Sequence, residues 1–192
     1  MAKLIGLNKI KTAVFISGTG SNLKNLINFS KTKKSPISID LIISNTIKAK
    51  GLKFANQYQI KKKIFNFKDI KTTEKKLFIS LKKNKIKFIC LAGFMKILSS
   101  KFIKQFNGKI INIHPSLLPR YKGLNTHSRA IQNKDKFSGC TVHFVTEKLD
   151  SGKIIMQKKI KILKKDTPSS LARKILKQEH KIYPKAILKI FN

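Results

Sequence analysis

A chain of 192 residues is long enough for one sizeable core. Its longest apolar run, Phe88 to Met95, is far too short to cross a bilayer, and Cys90 and Cys140 form no Cys-x-x-Cys pair, which excludes a disulfide framework and fits a reducing cytoplasm. The net charge of +35 comes from 40 Lys and only 3 Arg, beside 29 Ile against 3 Val and no Trp, a pattern of AT-rich codon bias rather than of a nucleic-acid interface, which would favour Arg as readily as Lys.

Lys3 is followed only by Leu4 to Leu7 before Asn8 and Lys9, too little for a secretory leader. Thr12 to Ser17 is an apolar run suited to a buried strand. Ser17-Gly-Thr-Gly-Ser-Asn22 follows, and then Leu23, Leu26, Ile27 and Phe29 fall at helical spacing. Strand, glycine turn and helix is the layout of a phosphate cradle: Gly18 and Gly20 permit close approach, and the helix start offers N–H groups and a positive dipole end. The third glycine of a dinucleotide fingerprint would fall at Leu23, and no Gly-Lys-Ser/Thr follows, so a single phosphate monoester is the economical ligand. An ordinary turn capped by Ser21 is the competing reading.

Ser38 to Ser44 reads as a second strand, Ala49 to Tyr58 as a helix, Ile64 to Phe67 as a short third strand and Thr73 to Lys83 as a helix. Phe88 to Ala92 is the most buried-looking strand. This alternation predicts an α/β fold with a doubly wound, mainly parallel sheet. Ile110 to Gly123 then places Asn112 and His114 at i and i+2, on one side of a strand that Pro115 stops. At the carboxyl edge of a parallel sheet, where ligands bind, an amide and an imidazole can hold an oxyanion and move a proton. Alternatively the two merely finish the strand and cap the next loop.

A short helix through Ile131 comes next. Gly139 to Thr146 and Lys153 to Ile162 look like an antiparallel strand pair, with Asp150 in the connection before the turn residues Ser151 and Gly152. A C-terminal helix starts with Thr167 as cap and Pro168 at its first position, carries Gln178, Glu179 and His180 late, and is expected to kink or end at Pro184. The four His, at 114, 127, 143 and 180, show no metal-ligand spacing, and no Gly-x-Ser-x-Gly marks a serine nucleophile. No metal is expected.

Five stretches in order are specific enough to carry a resemblance: Ile16 to Leu23, Leu91 to Leu98, Asn112 to Pro119, Val142 to Asp150 and Gln178 to Pro184. Through them the chain resembles the phosphoribosylglycinamide formyltransferases, folate-dependent enzymes of purine synthesis, from about Lys11 to Phe191. The resemblance implies a Rossmann-like formyltransferase fold in one domain, 1–192, with a phosphate-binding half (1–100) and a catalytic and folate-binding half (101–192). It implies transfer of the formyl group of 10-formyltetrahydrofolate to the amine of glycinamide ribonucleotide. It assigns Asn112, His114 and Asp150 to catalysis, Gly20, Ser21, Asn22 and Glu179 to the substrate, and Met95, Lys96, Ile97, Leu98, Val145 and Thr146, with Asn112 and Asp150, to the folate. It also implies a cis bond at Leu118–Pro119. Lys109 departs from the family's common arginine. The expected setting is cytoplasmic, as monomer or homodimer, with small-molecule partners and neither specific nucleic acid nor membrane. The rival enzymes are methionyl-tRNA formyltransferase and formyltetrahydrofolate hydrolase. Each is disfavoured because its usual additional domain finds no room here. A basic nucleic-acid-binding protein is the non-enzymatic rival.

Overall fold

A computed structural model describes residues 9–191. The segment Lys3 to Leu7, read above as too short for a leader, lies outside the described residues. The chain divides into two compact units: one takes the described chain through Lys96 with Phe106–Lys109 and Phe191, the other Ile97–Gln105 with Ile110–Ile190.

The first unit is built on β1 (Ile10–Ile16), whose residues Ala13 to Ile16 are wholly buried, as a strand covered on both faces must be. β2 (Ile37–Ser44) and β4 (Phe88–Leu91) flank it in parallel, and β3 (Lys61–Ile64) pairs in parallel with β2. The order is therefore β3-β2-β1-β4. The chain winds outward from β1 to β3 and returns to the other side of β1. With right-handed crossovers, helices before and after that return fall on opposite faces, which is the doubly wound arrangement. These helices are α1 (Ser21–Ser30), α2 (Lys53–Gln57) and α3 (Ile70–Lys83), the last capped by the Asp69 carboxylate, which accepts from the Thr72 N–H at 3.2 Å.

Three local expectations are corrected here. The third strand lies at Lys61–Ile64, not Ile64 to Phe67; all four residues are exposed, so backbone pairing to β2 defines it and no apolar pattern could. The stretch Ala49 to Tyr58 is a 3-10 turn (Lys50–Leu52) leading into α2 rather than one helix. Ser21 is the first helical residue; the cap is Gly20, left-handed at φ 76° and without a side-chain bond.

In the second unit α4 (Ser100–Gln105) precedes β5 (Lys109–His114), and α5 (Thr126–Gln132) precedes β6 (Phe137–Phe144) and β7 (Ile154–Lys161). β5–β6 and β6–β7 are antiparallel. The Leu118–Pro119 bond is cis. α6 (Pro168–Phe191) buries Leu171, Ile175, Glu179, Ile182, Tyr183, Ala186 and Ile187, a stripe at helical spacing. Its start is fixed reciprocally: the Ser170 N–H donates to Thr167 Oγ1 at 3.1 Å and the Thr167 N–H to Ser170 Oγ at 3.0 Å. Pro184 does not end this helix, which continues to Phe191. Asp166 accepts from Lys174, the Leu163 N–H and Ser170, and these bonds hold its carboxyl down at about 2. Among the described residues no helix is long and apolar enough to cross a membrane.

Candidate active site

Pro115 ends β5 and leaves His114 at its carboxyl terminus. The register of β5 against β6 sets Asn112 opposite His143 and His114 opposite Thr141, so Asn112, His114 and His143 share one face of the pair. Asp150 comes from the connection between β6 and β7, in a left-handed conformation (φ 45°) that turns its carboxylate back toward this face. Its Oδ2 lies 3.3 Å from His114 Nδ1 and accepts the Gly123 N–H at 2.9 Å. Its Oδ1 accepts from Asn112 Nδ2 at 3.4 Å and lies 3.5 Å from His143 Nε2. The three residues expected to be catalytic thus converge within the second unit, and a fourth, His143, joins them. His143 was missed because nothing local in the sequence pairs β5 with β6; with that pairing, its phase opposite Asn112 would have found it.

The ring nitrogens can be assigned from their partners. A carbonyl can only accept, so His114 Nε2, 2.8 Å from the Tyr121 oxygen, carries hydrogen. His143 Nδ1, 2.9 Å from the Phe144 oxygen, carries hydrogen as well. His143 Nε2 lies 3.3 Å from Asn112 Nδ2 and 3.5 Å from Asp150 Oδ1, between the amide and the carboxylate. For His114 the outcome differs. With Nε2 committed, Nδ1 faces a carboxylate, and that contact becomes a hydrogen bond when the ring is protonated. Burial pulls the His114 pKa below its ordinary value, against the Tyr121 carbonyl and Asp150, which favour the cation. Burial works to raise Asp150, but His143, the Gly123 N–H and the His114 charge outweigh it and hold the carboxyl low. His114 is 5% exposed and Asp150 9%, so this exchange occurs largely out of water.

The Ser17–Asn22 turn belongs to the first unit. It leaves β1 at the carboxyl edge beside β4, the point where the strand order reverses and ligands bind in open α/β sheets. Ser17 ties the two strand ends together: its N–H donates to the Gly93 carbonyl at 3.1 Å and its Oγ accepts the Met95 N–H at 2.8 Å. Gly20 and Gly51 pack backbone to backbone; a Cβ on Gly20 would sit 2.6 Å from Gly51 Cα. A Cβ on Gly18 would meet nothing within 4 Å. Gly20 is buried, Ser21 half-buried and Asn22 buried at the start of α1, where an α-helix offers N–H groups that its own carbonyls do not reach.

Of the residues expected at the folate, Met95 and Ile97 are 62% and 67% exposed, unusual for large apolar side chains, while Lys96 is exposed and Leu98 buried. Val145 is half-buried and Thr146 exposed, on the segment leading to Asp150. Glu179 continues the buried stripe of α6, close enough to Cys140 to help burial push that thiol up to about 12. Among the described residues no group of three or more His, Cys, Asp or Glu is arranged to hold a metal ion.

Residues 10–187 match the model of the Formyl transferase family. The chain belongs to this family. This formyl transferase is 43% identical over 180 residues to the phosphoribosylglycinamide formyltransferase of Haemophilus influenzae, covering 92% of this chain and 85% of that one. It is 42% identical over 182 residues to the human trifunctional purine biosynthetic protein adenosine-3, covering 93% of this chain but only 18% of that protein; in Drosophila melanogaster the share is 14%. Against the crystal structure of phosphoribosylglycinamide formyltransferase from Brucella melitensis the TM-score is 0.90 at 40% identity, covering 95% of this chain and 96% of that one. The Anaplasma phagocytophilum enzyme gives 0.88 at 42% identity, covering 94% and 85%.

Proposed function

We propose that this family member transfers the formyl group of 10-formyltetrahydrofolate to the amine of glycinamide ribonucleotide. The observation that carries the reading is the convergence of Asn112 and His114 on Asp150, whose carboxylate lies 3.4 Å from the Asn112 amide nitrogen and 3.3 Å from His114 Nδ1. The amine nitrogen attacks the formyl carbon, and the carbonyl electron pair moves onto oxygen to give a tetrahedral intermediate. Asn112 releases one amide N–H from its present acceptor to that oxyanion, and His114, once protonated beside Asp150, supplies the opposing charge. Collapse breaks the bond from carbon to N10; the amine gives up one proton and N10 takes one. Both nitrogens of His114 are engaged, so the ring acts first by charge, and a shuttling role requires one of its two bonds to open.

The turn at Gly20, Ser21 and Asn22 receives the substrate phosphate on the N–H groups and dipole of α1, and Glu179 meets the ribose or amine end. Met95 and Ile97 offer apolar surface to the folate, Lys96 a charge for its carboxylates, and Leu98 its backbone; Val145 and Thr146 close on the pterin. A buried carboxylate such as Glu179 and two exposed apolar side chains each cost stability, which supports a use for them.

The test is formylation of glycinamide ribonucleotide by purified protein. Asn112→Ala, His114→Ala and Asp150→Ala should each lower kcat by roughly 10²–10⁴-fold, with far smaller effects on Tm. A wild-type protein that leaves this amine unformylated, while hydrolysing the folate or formylating methionyl-tRNA, would hand the site to one of the rival enzymes.

A further inference from the structure

Between β5 and α5 the chain runs through Arg120, Tyr121, Lys122 and Gly123, none of which has a role in the scheme above beyond the Tyr121 carbonyl and the Gly123 N–H. Tyr121 sits in the left-handed region at φ 55°, a conformation that side-chain-bearing residues keep only when their surroundings hold it. Here they do. The Tyr121 hydroxyl donates to Asp135 Oδ2 at 2.7 Å and accepts from Asn133 Nδ2 at 2.9 Å. Arg120 Nη2 donates to the other oxygen of Asp135 at 2.8 Å. The guanidinium groups of Arg120 and Arg129 lie 5.2 Å and 5.0 Å from the Tyr121 ring centre, and Arg129 Nη1 donates to the Lys122 carbonyl at 2.8 Å.

Composition adds an independent sign. The chain has 3 Arg among 43 basic residues, and two of those three flank this one ring. A lysine cannot both bond Asp135 and lay a flat cation against an aromatic face. Where base bias has made almost every cation a lysine, two of the three arginines stand against this ring.

We propose that Tyr121, locked by Asp135, Asn133 and the two arginines, is a positioning residue that aims its carbonyl at His114 Nε2 and so fixes the ring with Nδ1 toward Asp150. The left-handed backbone points the carbonyl, the side-chain clamp keeps the backbone left-handed, and the imidazole follows. Without the clamp the carbonyl swings away, the ring is free to turn or change tautomer, and its hydrogen is no longer held on Nε2. Besides the Tyr121 carbonyl, the groups that act on the His114 charge are Asp150 from the β6–β7 connection, His143 from β6, and His127 and Arg129 from α5. The clamp changes none of these charges except through Arg129, so its effect is read in the ring's hydrogen positions.

This deepens the formyl-transfer reading and rests on it for the kinetic arm alone. The experiment is a nitrogen-15 NMR titration of the histidine rings, with steady-state kinetics, on wild type, Tyr121→Phe, Tyr121→Gly and Asp135→Asn. Tyr121→Phe keeps the ring and loses the hydroxyl's bonds to Asp135, Asn133 and Arg120; Tyr121→Gly keeps the left-handed backbone at no steric cost and loses the clamp. Each should move the His114 midpoint downward and raise the share of the Nδ1–H tautomer. Each should cut kcat about tenfold while KM for both substrates changes less than about twofold. Asp135→Asn, which preserves shape, should do the same and keeps the test decisive if either tyrosine variant folds poorly. Folded variants whose His114 tautomer and midpoint match wild type would overturn the proposal. Normal His114 signals in a wild-type protein inactive on glycinamide ribonucleotide would instead count against the formyl-transfer reading.

Discussion

His143 braces the face that carries Asn112 and His114. At 2% exposed it is closed to any substrate, yet its Nε2 meets Asn112 at 3.3 Å and Asp150 at 3.5 Å. It therefore aims the Asn112 amide and helps hold the Asp150 carboxylate ionised. His143→Ala should raise the Asp150 pKa, shift the acid limb of kcat/KM to higher pH and lower kcat by roughly 10–100-fold. His143→Gln, which can present a polar atom near the Nε2 position, should recover part of that loss. An unchanged acid limb and turnover in the alanine variant would reduce His143 to packing. The sequence exposed Asn112 and His114 because their i, i+2 spacing before a proline is a local pattern. Asp150 came only through the family resemblance, since an Asp before Ser-Gly is ordinary turn chemistry. His143 is legible only once it is paired with Asn112, 31 residues away on another strand, and that pairing is a tertiary fact.

Gly20 and Gly51 make the Ser17–Asn22 turn a packed element rather than a flexible loop. Gly20 needs its positive φ and has Gly51 Cα where a side chain would go, while Gly51 is hemmed in by Gly20 and Ile16 in turn. Gly20→Ala should cost about 1–3 kcal/mol of stability, measured by urea unfolding. Gly18→Ala is the informative partner, because its Cβ enters open space. It should leave the urea midpoint unchanged and raise KM for glycinamide ribonucleotide, since the added methyl stands where a phosphate would approach the backbone. A normal KM would move the phosphate away from this turn. At this scale β1, β2, β4, β5 and the helix from Pro168 were readable from apolar runs and cap residues. β3 lies three residues before the expected Ile64 to Phe67 because Lys61-Lys-Lys-Ile64 carries no burial signal, and α6 runs through Pro184 because a long helix anchored by a buried stripe tolerates one lost backbone bond.

Over the whole chain, 43 basic residues face 8 acidic ones, and every acid is engaged. Asp135, Glu147 and Asp166 pair with Arg120, Lys104 and Lys174, and Asp150 with the histidines. Asp69 caps α3, and Asp40 accepts from Ser38 at 2.6 Å and from the Thr12 N–H at 3.4 Å. Self-repulsion thus opposes compactness, and the few carboxylates that offset it each hold a specific bond. The pH dependence follows in sign. Asp69, Asp150 and Asp166 titrate below the ordinary carboxyl range when folded, so they favour folding above about pH 4 and lose that contribution as pH falls toward about 2, where Asp166 titrates. His114, His127 and His180 are pulled below 6.5 by burial, so unfolded imidazoles take up protons first and stability falls as pH drops through about 6.5. Both sets act in the same direction. Calorimetry should find Tm highest above about pH 7, dropping first as the histidines charge and again as the carboxylates protonate. Raising NaCl to about 0.3 M should increase Tm at every pH, and most at low pH where positive charge is greatest, because screening shortens the reach of lysine–lysine repulsion more than that of the buried pairs. A Tm flat between pH 8 and 5 would contradict the histidine part, and a Tm lowered by salt would show that the engaged acids, not the lysine excess, dominate the electrostatics of the fold.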